Sequence, residues 1–130
     1  MRVVVLALAL LALPACGGQS DSGGSTAGAA SLDISISLGG KDTPTKLWTL
    51  RCPTGGTLPD AASACTNLDR LDDPFGPVPK SVACTEVYGG PQVADVQGTF
   101  RGKPVKTRFA RTNGCEIARW NRVRFLFPSS

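Results

Sequence analysis

Val93-Ala94-Asp95-Val96-Gln97-Gly98-Thr99-Phe100-Arg101-Gly102-Lys103-Pro104-Val105-Lys106-Thr107-Arg108-Phe109-Ala110 is the stretch on which the fold turns. Its two runs, 93–100 and 103–110, flank the short turn Arg101-Gly102 and read as a β-hairpin. In the second run Val105, Thr107 and Phe109 are spaced by two and face inward, with Lys106 and Arg108 outward. Such a hairpin belongs to an antiparallel sheet with one packed face and one solvated face.

Working outward, the same period recurs upstream. Leu32, Ile34, Ile36 and Leu38 alternate with Asp33, Ser35 and Ser37, a half-buried strand. Residues 46–52 alternate too, with Trp48 and Leu50 on one face and Thr49 and Arg51 on the other. Between these strands and the hairpin the period changes. Thr57-Leu58-Pro59-Asp60 opens like a helix, with a capping hydroxyl, a proline in the first turn and then an acid. Ala61, Ala64, Cys65, Leu68 and Leu71 follow on one helical face, and Asp72-Asp73-Pro74 stops it. Pro74, Pro77 and Pro79 keep the next segment extended and irregular. Downstream, Val123, Phe125 and Phe127 alternate with Arg124 and Leu126, which predicts a final strand. The sum is an α+β fold: an antiparallel sheet whose apolar face is covered by a helix.

The N-terminus supplies the compartment. Met1-Arg2 precedes a short apolar run, residues 3–12, and a small-residue exit, which together read as a signal peptide over residues 1–15. The exit, Leu13-Pro14-Ala15-Cys16, resembles the lipobox of bacterial lipoproteins, which implies a diacylated Cys16 as the first residue of the mature chain. Ordinary secretory cleavage after Ala15 is the competing reading. Two acyl chains on one residue anchor stably where one holds only marginally. Residues 16–31 then form a lipid-anchored flexible linker of Gly, Ser, Ala and Thr, with a root-mean-square reach of roughly 20 Å. The expected localisation is the outer face of the cell membrane as a lipoprotein, and otherwise secreted. The folded domain occupies residues 32–130, a size that gains from covalent staples.

Cys52, Cys65, Cys84 and Cys115 remain for that domain. Exported chains form disulfides, and an even number supports two bridges, with three pairings open. Zinc is the competing use, but no pair has the close spacing of a zinc knuckle and the chain has no histidine. No metal or other cofactor is expected. The same lack of histidine rules out Ser-His-Asp and Cys-His catalysis, and there is no phosphate-binding glycine loop followed by lysine. The expectation is therefore a non-enzyme. From Arg101 onward there are eight basic residues and one acid. Without aromatic interleaving that patch does not suit nucleic acid, and it reads first as a solvated sheet face, with anionic lipid as a secondary partner.

Three pieces of the domain resemble the bacterial subtilisin-inhibitor family, first described from streptomycetes. The first is Trp48-Thr49-Leu50-Arg51-Cys52-Pro53 with its glycine turn, Thr57 to Pro59, and Ser63-Ala64-Cys65. The second is Cys84-Thr85-Glu86-Val87-Tyr88. The third is Val96-Gln97-Gly98-Thr99-Phe100-Arg101-Gly102-Lys103-Pro104-Val105, followed by Asn113-Gly114-Cys115-Glu116. The resemblance implies a five-stranded antiparallel sheet covered on one face by one or two helices, with bridges Cys52–Cys65 and Cys84–Cys115. It also implies a serine-type endopeptidase inhibitor that acts as a slow, substrate-like binder. Its reactive bond would be Glu86–Val87, within a loop of Cys84, Thr85 and Tyr88, supported by Asn113.

The departures from that pattern are specific. Glu86 stands where the family more often offers Met, Lys or another large residue. A carboxylate loses hydration in an apolar specificity pocket without gaining a partner, so the expected partner is a serine protease, subtilisin-like at less than the family's full strength, or one that prefers Glu or has a basic pocket. Thr85 replaces a stiffer proline, and Gly89-Gly90 makes the return one residue longer, changes that loosen the loop. A non-inhibitory interaction module of the envelope on the same fold is the alternative these changes keep open. The resemblance further implies a homodimer through the sheet, opposed by like charge on its basic outer face.

Overall fold

In the computed structural model, residues 28–40, 43 and 45–128 are described. The signal peptide, Cys16 and most of the linker lie outside these residues. Strand β1 (Ala30–Ser37) is buried on alternate positions, at Ala30, Leu32, Ile34 and Ile36, as its period requires. It is the centre of the sheet. Strand β2 (Thr45–Arg51) pairs along one side of it and β4 (Val93–Phe100) along the other. Strand β5 (Lys103–Phe109) closes one edge through the hairpin. The remaining edge is β3, only Gly55–Gly56, paired to β2. All pairings are antiparallel in the order β3-β2-β1-β4-β5, so the sheet has five strands.

The fifth strand is not the one that the C-terminal pattern predicts. Residues 123–127 form no strand: helix α2 (Gly114–Arg122) runs into a single 3-10 turn, Arg124–Leu126. Trp120, Val123, Leu126 and Phe127 are buried. Their spacing of three to four is the helical period, and it outweighs the shorter alternation of Val123, Phe125 and Phe127. Phe127 lies 4.6 Å from the Trp120 ring and 5.3 Å from Phe109, centroid to centroid. Those contacts fix the chain end in the core.

Helix α1 (Ala61–Asp69) buries Ala61, Ala64, Cys65 and Leu68 as its sequence predicts, but it ends before Asp72-Asp73-Pro74, so Leu71 packs on the core from beyond the helix. Its start is different. Asp60 is the N-cap, with φ 54° and no side-chain cap bond. Thr57 is used elsewhere, its hydroxyl accepting from the Thr49 N–H at 2.9 Å, while its own N–H bonds the Thr49 carbonyl. Thr57 thus extends the β2–β3 edge rather than capping the helix. The Cys52–Cys65 bridge, with Cα atoms 5.5 Å apart, ties the end of β2 to the inner face of α1.

The core lies between one sheet face and the two helices, with Leu32, Ile34, Ile36, Leu50, Val96 and Phe109 almost wholly buried. Each such side chain contributes about 1.5–3 kcal/mol by leaving water. At the hairpin tip Arg101 (φ 49°) and Gly102 (φ 75°) both take left-handed backbone, the requirement of a two-residue turn that follows the sheet twist. Arg101 is held there by its guanidinium, which donates to the carbonyls of Leu71, Asp72 and Asp69 and lies 4.5 Å from the Phe100 ring centroid.

The outer sheet face is polar and largely self-neutralising. Arg51 pairs with Asp33 at 2.7 Å, and Arg108 grips both oxygens of Asp95 at 2.8 and 2.9 Å. The Asp95 hydrogen bonds, and then its charge, hold the Arg108 guanidinium above its ordinary pKa.

Candidate functional site

The Cys84 segment leaves the irregular proline-rich stretch with no regular structure, and every residue from Ser81 to Tyr88 is exposed. Val82, Val87 and Tyr88 of this segment are exposed large apolar residues, Val87 and Tyr88 at 57% and 65%; the other among the described residues is Leu47 of β2, at 74%. Three of the four fall in one short segment, a clustering that single exposed apolar side chains do not show. Among the described residues the Glu86 carboxylate makes no hydrogen bond or ion pair.

What keeps this exposed run in place is the N-terminal end of α2. Asn113 is extended, and its Oδ1 accepts from the Glu116 N–H at 2.9 Å, which caps the helix. Glu116 follows three residues behind the cap and bonds Arg119 at 2.8 Å, one turn on. Arg119 in turn donates to the Gly76 carbonyl and to Thr107 Oγ1, and its guanidinium lies 4.6 Å from the Phe109 ring centroid. One side chain therefore joins α2, β5 and the irregular stretch that leads into the loop. The sequence contained a signal for this helix in Asn113-Gly114-Cys115-Glu116, a capping residue with Glu three positions later.

Three ties run from that helix end to the loop. The Cys84–Cys115 disulfide bridges residues 31 apart in sequence with Cα atoms 5.3 Å apart. The Gly114 N–H donates to the Thr85 carbonyl at 2.9 Å, and the Gly89 N–H to the Arg111 carbonyl at 2.7 Å. Gly114 has no side chain where the Thr85 hydroxyl sits, so the two backbones approach closely. At the other leg a Cβ on Gly89 would fall 2.8 Å from Ile117 Cδ1, so glycine lets the loop settle on α2. Glu86, Val87 and Tyr88 lie between these ties. A segment pinned at both legs and open in the middle can enter a cleft as an extended peptide without being ordered first.

The predicted loop residues, Cys84, Thr85, Glu86, Val87 and Tyr88, are thus contiguous and exposed, and Cys115 and Asn113 stand at its base. The hydrogen bond that the Asn113 side chain makes goes to the Glu116 N–H of α2 and not to the loop. Sequence reasoning did not single out Arg111, Gly114 and Ile117, whose parts depend on a main-chain bond, an absent side chain and a packing contact.

A family model described as subtilisin inhibitor-like matches residues 28–113, from just before β1 to the cap of α2. No curated protein matches the chain.

Proposed function

The chain belongs to the subtilisin inhibitor-like family, a family of protease inhibitors rather than enzymes, and from that premise we propose that it inhibits a serine endopeptidase through the bond Glu86–Val87. The observation that supports this most directly is the loop held at Cys84, Thr85 and Gly89 with its middle exposed. Such a loop binds a protease cleft in substrate fashion and is cleaved slowly, because the leaving segment stays tethered near the reacting atoms by the disulfide and the Gly89 bond.

Glu86 sets the target class. Its unpaired carboxylate suits a pocket that supplies a cation or hydrogen-bond donors, as a Glu-specific protease does. Inhibition constants for the purified protein against a Glu-specific endopeptidase and against subtilisin test the reading. Inhibition of the first at nanomolar to micromolar concentration, and far weaker inhibition of the second, is the expected result. No inhibition of either at micromolar protein removes it.

Two features favour a second reading, a non-inhibitory module of the envelope on the same fold. Thr85 lacks the rigidity of proline, and Gly90 puts a residue with φ 133°, of the type with the widest backbone freedom, into the return leg. Rapid and complete cleavage at Glu86–Val87 is the outcome that belongs to this alternative. In either case display from the membrane through a diacylated Cys16 is part of the proposal, with the linker holding the domain off the surface.

A further inference from the structure

A cleft of about 860 Å³ opens where the end of α1, the segments flanking β4 and β5, and the C-terminal turn meet, and its lining residues Arg111 and Gln92 adjoin the return leg of the loop at Gly89 and Gly90. Arg70, Arg111 and Arg124 line it, and among the described residues no acid does. The ion pairs of the described residues engage Arg51, Arg101, Arg108 and Arg119, so these three guanidinium groups gather without a carboxylate. Like charges converge on one cavity at a cost unless an anion occupies it.

A second observation points the same way. Of the described buried polar side-chain atoms without a partner, two belong to residues that line this cleft: Arg111 Nε, a donor, and Gln92 Oε1, an acceptor that lies against Gly90. Trp120 and Phe125 supply an apolar wall beside them. A fitting ligand therefore brings an oxyanion for the arginine forks, a hydroxyl to donate to Gln92, and a short carbon skeleton for the wall.

We propose that this cleft is a binding site for a small organic phosphate with a free hydroxyl, glycerol phosphate being the simplest form. Two sources share that chemistry: a soluble phosphorylated polyol and the headgroup of a phosphatidylglycerol membrane. The proposal does not depend on protease inhibition, and its test reads neither activity nor the loop.

Calorimetric titration of the unlipidated full chain with glycerol phosphate, inorganic phosphate and glycerol tests it. Saturable one-to-one binding of glycerol phosphate is expected, with inorganic phosphate weaker and glycerol silent. Arg70→Gln and Arg124→Gln, both at exposed positions, each weaken binding about tenfold through one lost charge-assisted contact. Gln92→Leu removes the preference for glycerol phosphate over inorganic phosphate. Lys106→Gln, on the far face of the sheet, changes nothing. Flotation with phosphatidylglycerol and phosphatidylcholine vesicles separates the sources: capture by the first alone, lost in Arg124→Gln, assigns the headgroup, and titration heat without capture assigns the soluble polyol. No saturable heat at millimolar ligand together with no capture, or equal weakening by Lys106→Gln, overturns the proposal.

Discussion

Under the proposed function, Glu86 carries the choice of target on one side chain. A carboxylate taken into an apolar pocket without a partner forfeits hydration worth several kcal/mol. Glu86→Met removes that cost and is expected to strengthen inhibition of subtilisin by about a hundredfold, roughly 3 kcal/mol, while abolishing preference for a Glu-specific enzyme. Paired inhibition constants check both directions. Two glycines test the scaffold at the same scale. Gly98 has φ 137°, and a Cβ there would run into the Ser31 carbonyl of the central strand. Gly98→Ala should cost about 3 kcal/mol in chemical denaturation. Gly102, φ 75°, has open space around its missing Cβ, so Gly102→Ala should lose only the left-handed backbone cost of about 1 kcal/mol. Equal losses would mean that backbone conformation, not the close approach to β1, limits Gly98.

At the level of elements, α2 works as the bracket for the loop. Asn113→Ala should lower stability by about 1 kcal/mol, the usual worth of a cap, and Asn113→Asp should recover most of it in thermal melts. The disulfides divide the labour differently. By chain entropy, removing Cys52–Cys65 with its separation of 13 costs about 3 kcal/mol, and removing Cys84–Cys115 with its separation of 31 about 4 kcal/mol. Only the second loss, as Cys84→Ser with Cys115→Ser, should also hasten cleavage at Glu86–Val87, a difference that proteolysis time courses followed by mass spectrometry will show. The strands and the buried face of α1 were legible because period two and period three to four are simple geometry written into Leu32, Ile34 and Ile36, and into Ala61, Ala64 and Leu68. The C-terminal element was misread because Val123, Phe125 and Phe127 satisfy a strand pattern locally. The anchors Trp120 and Phe127 that make the segment helical become evident only when the period is followed across residues 120–127. Thr57 misled for a related reason. A hydroxyl ahead of a proline suits a cap, yet the β2 edge offered it the Thr49 main chain first. In the loop, the exposed residues could be read along the chain, whereas Gly89 on Ile117 and Arg111 beneath it depend on tertiary packing.

Across the whole molecule, the basic excess of the C-terminal third does not form one charged face. Arg108 is spent on Asp95, Arg101 on the hairpin clamp and Arg119 on the bracket behind the loop. The outer sheet face is accordingly less repulsive than its lysines and arginines suggest. Attachment belongs to this scale too. If Cys16 is diacylated, Cys16→Ala should move the protein from the membrane fraction to the medium with its inhibition unchanged; retention in the membrane would contradict the anchor. Resistance to turnover separates an inhibitor from a substrate. Equimolar protein and Glu-specific endopeptidase, followed for hours by intact mass with residual activity read in parallel, address it directly. Persistent inhibition is expected, with most molecules intact at Glu86–Val87 and a slowly reached mixture of cut and uncut forms still joined by Cys84–Cys115. Complete cleavage within minutes, with full recovery of protease activity, would contradict it.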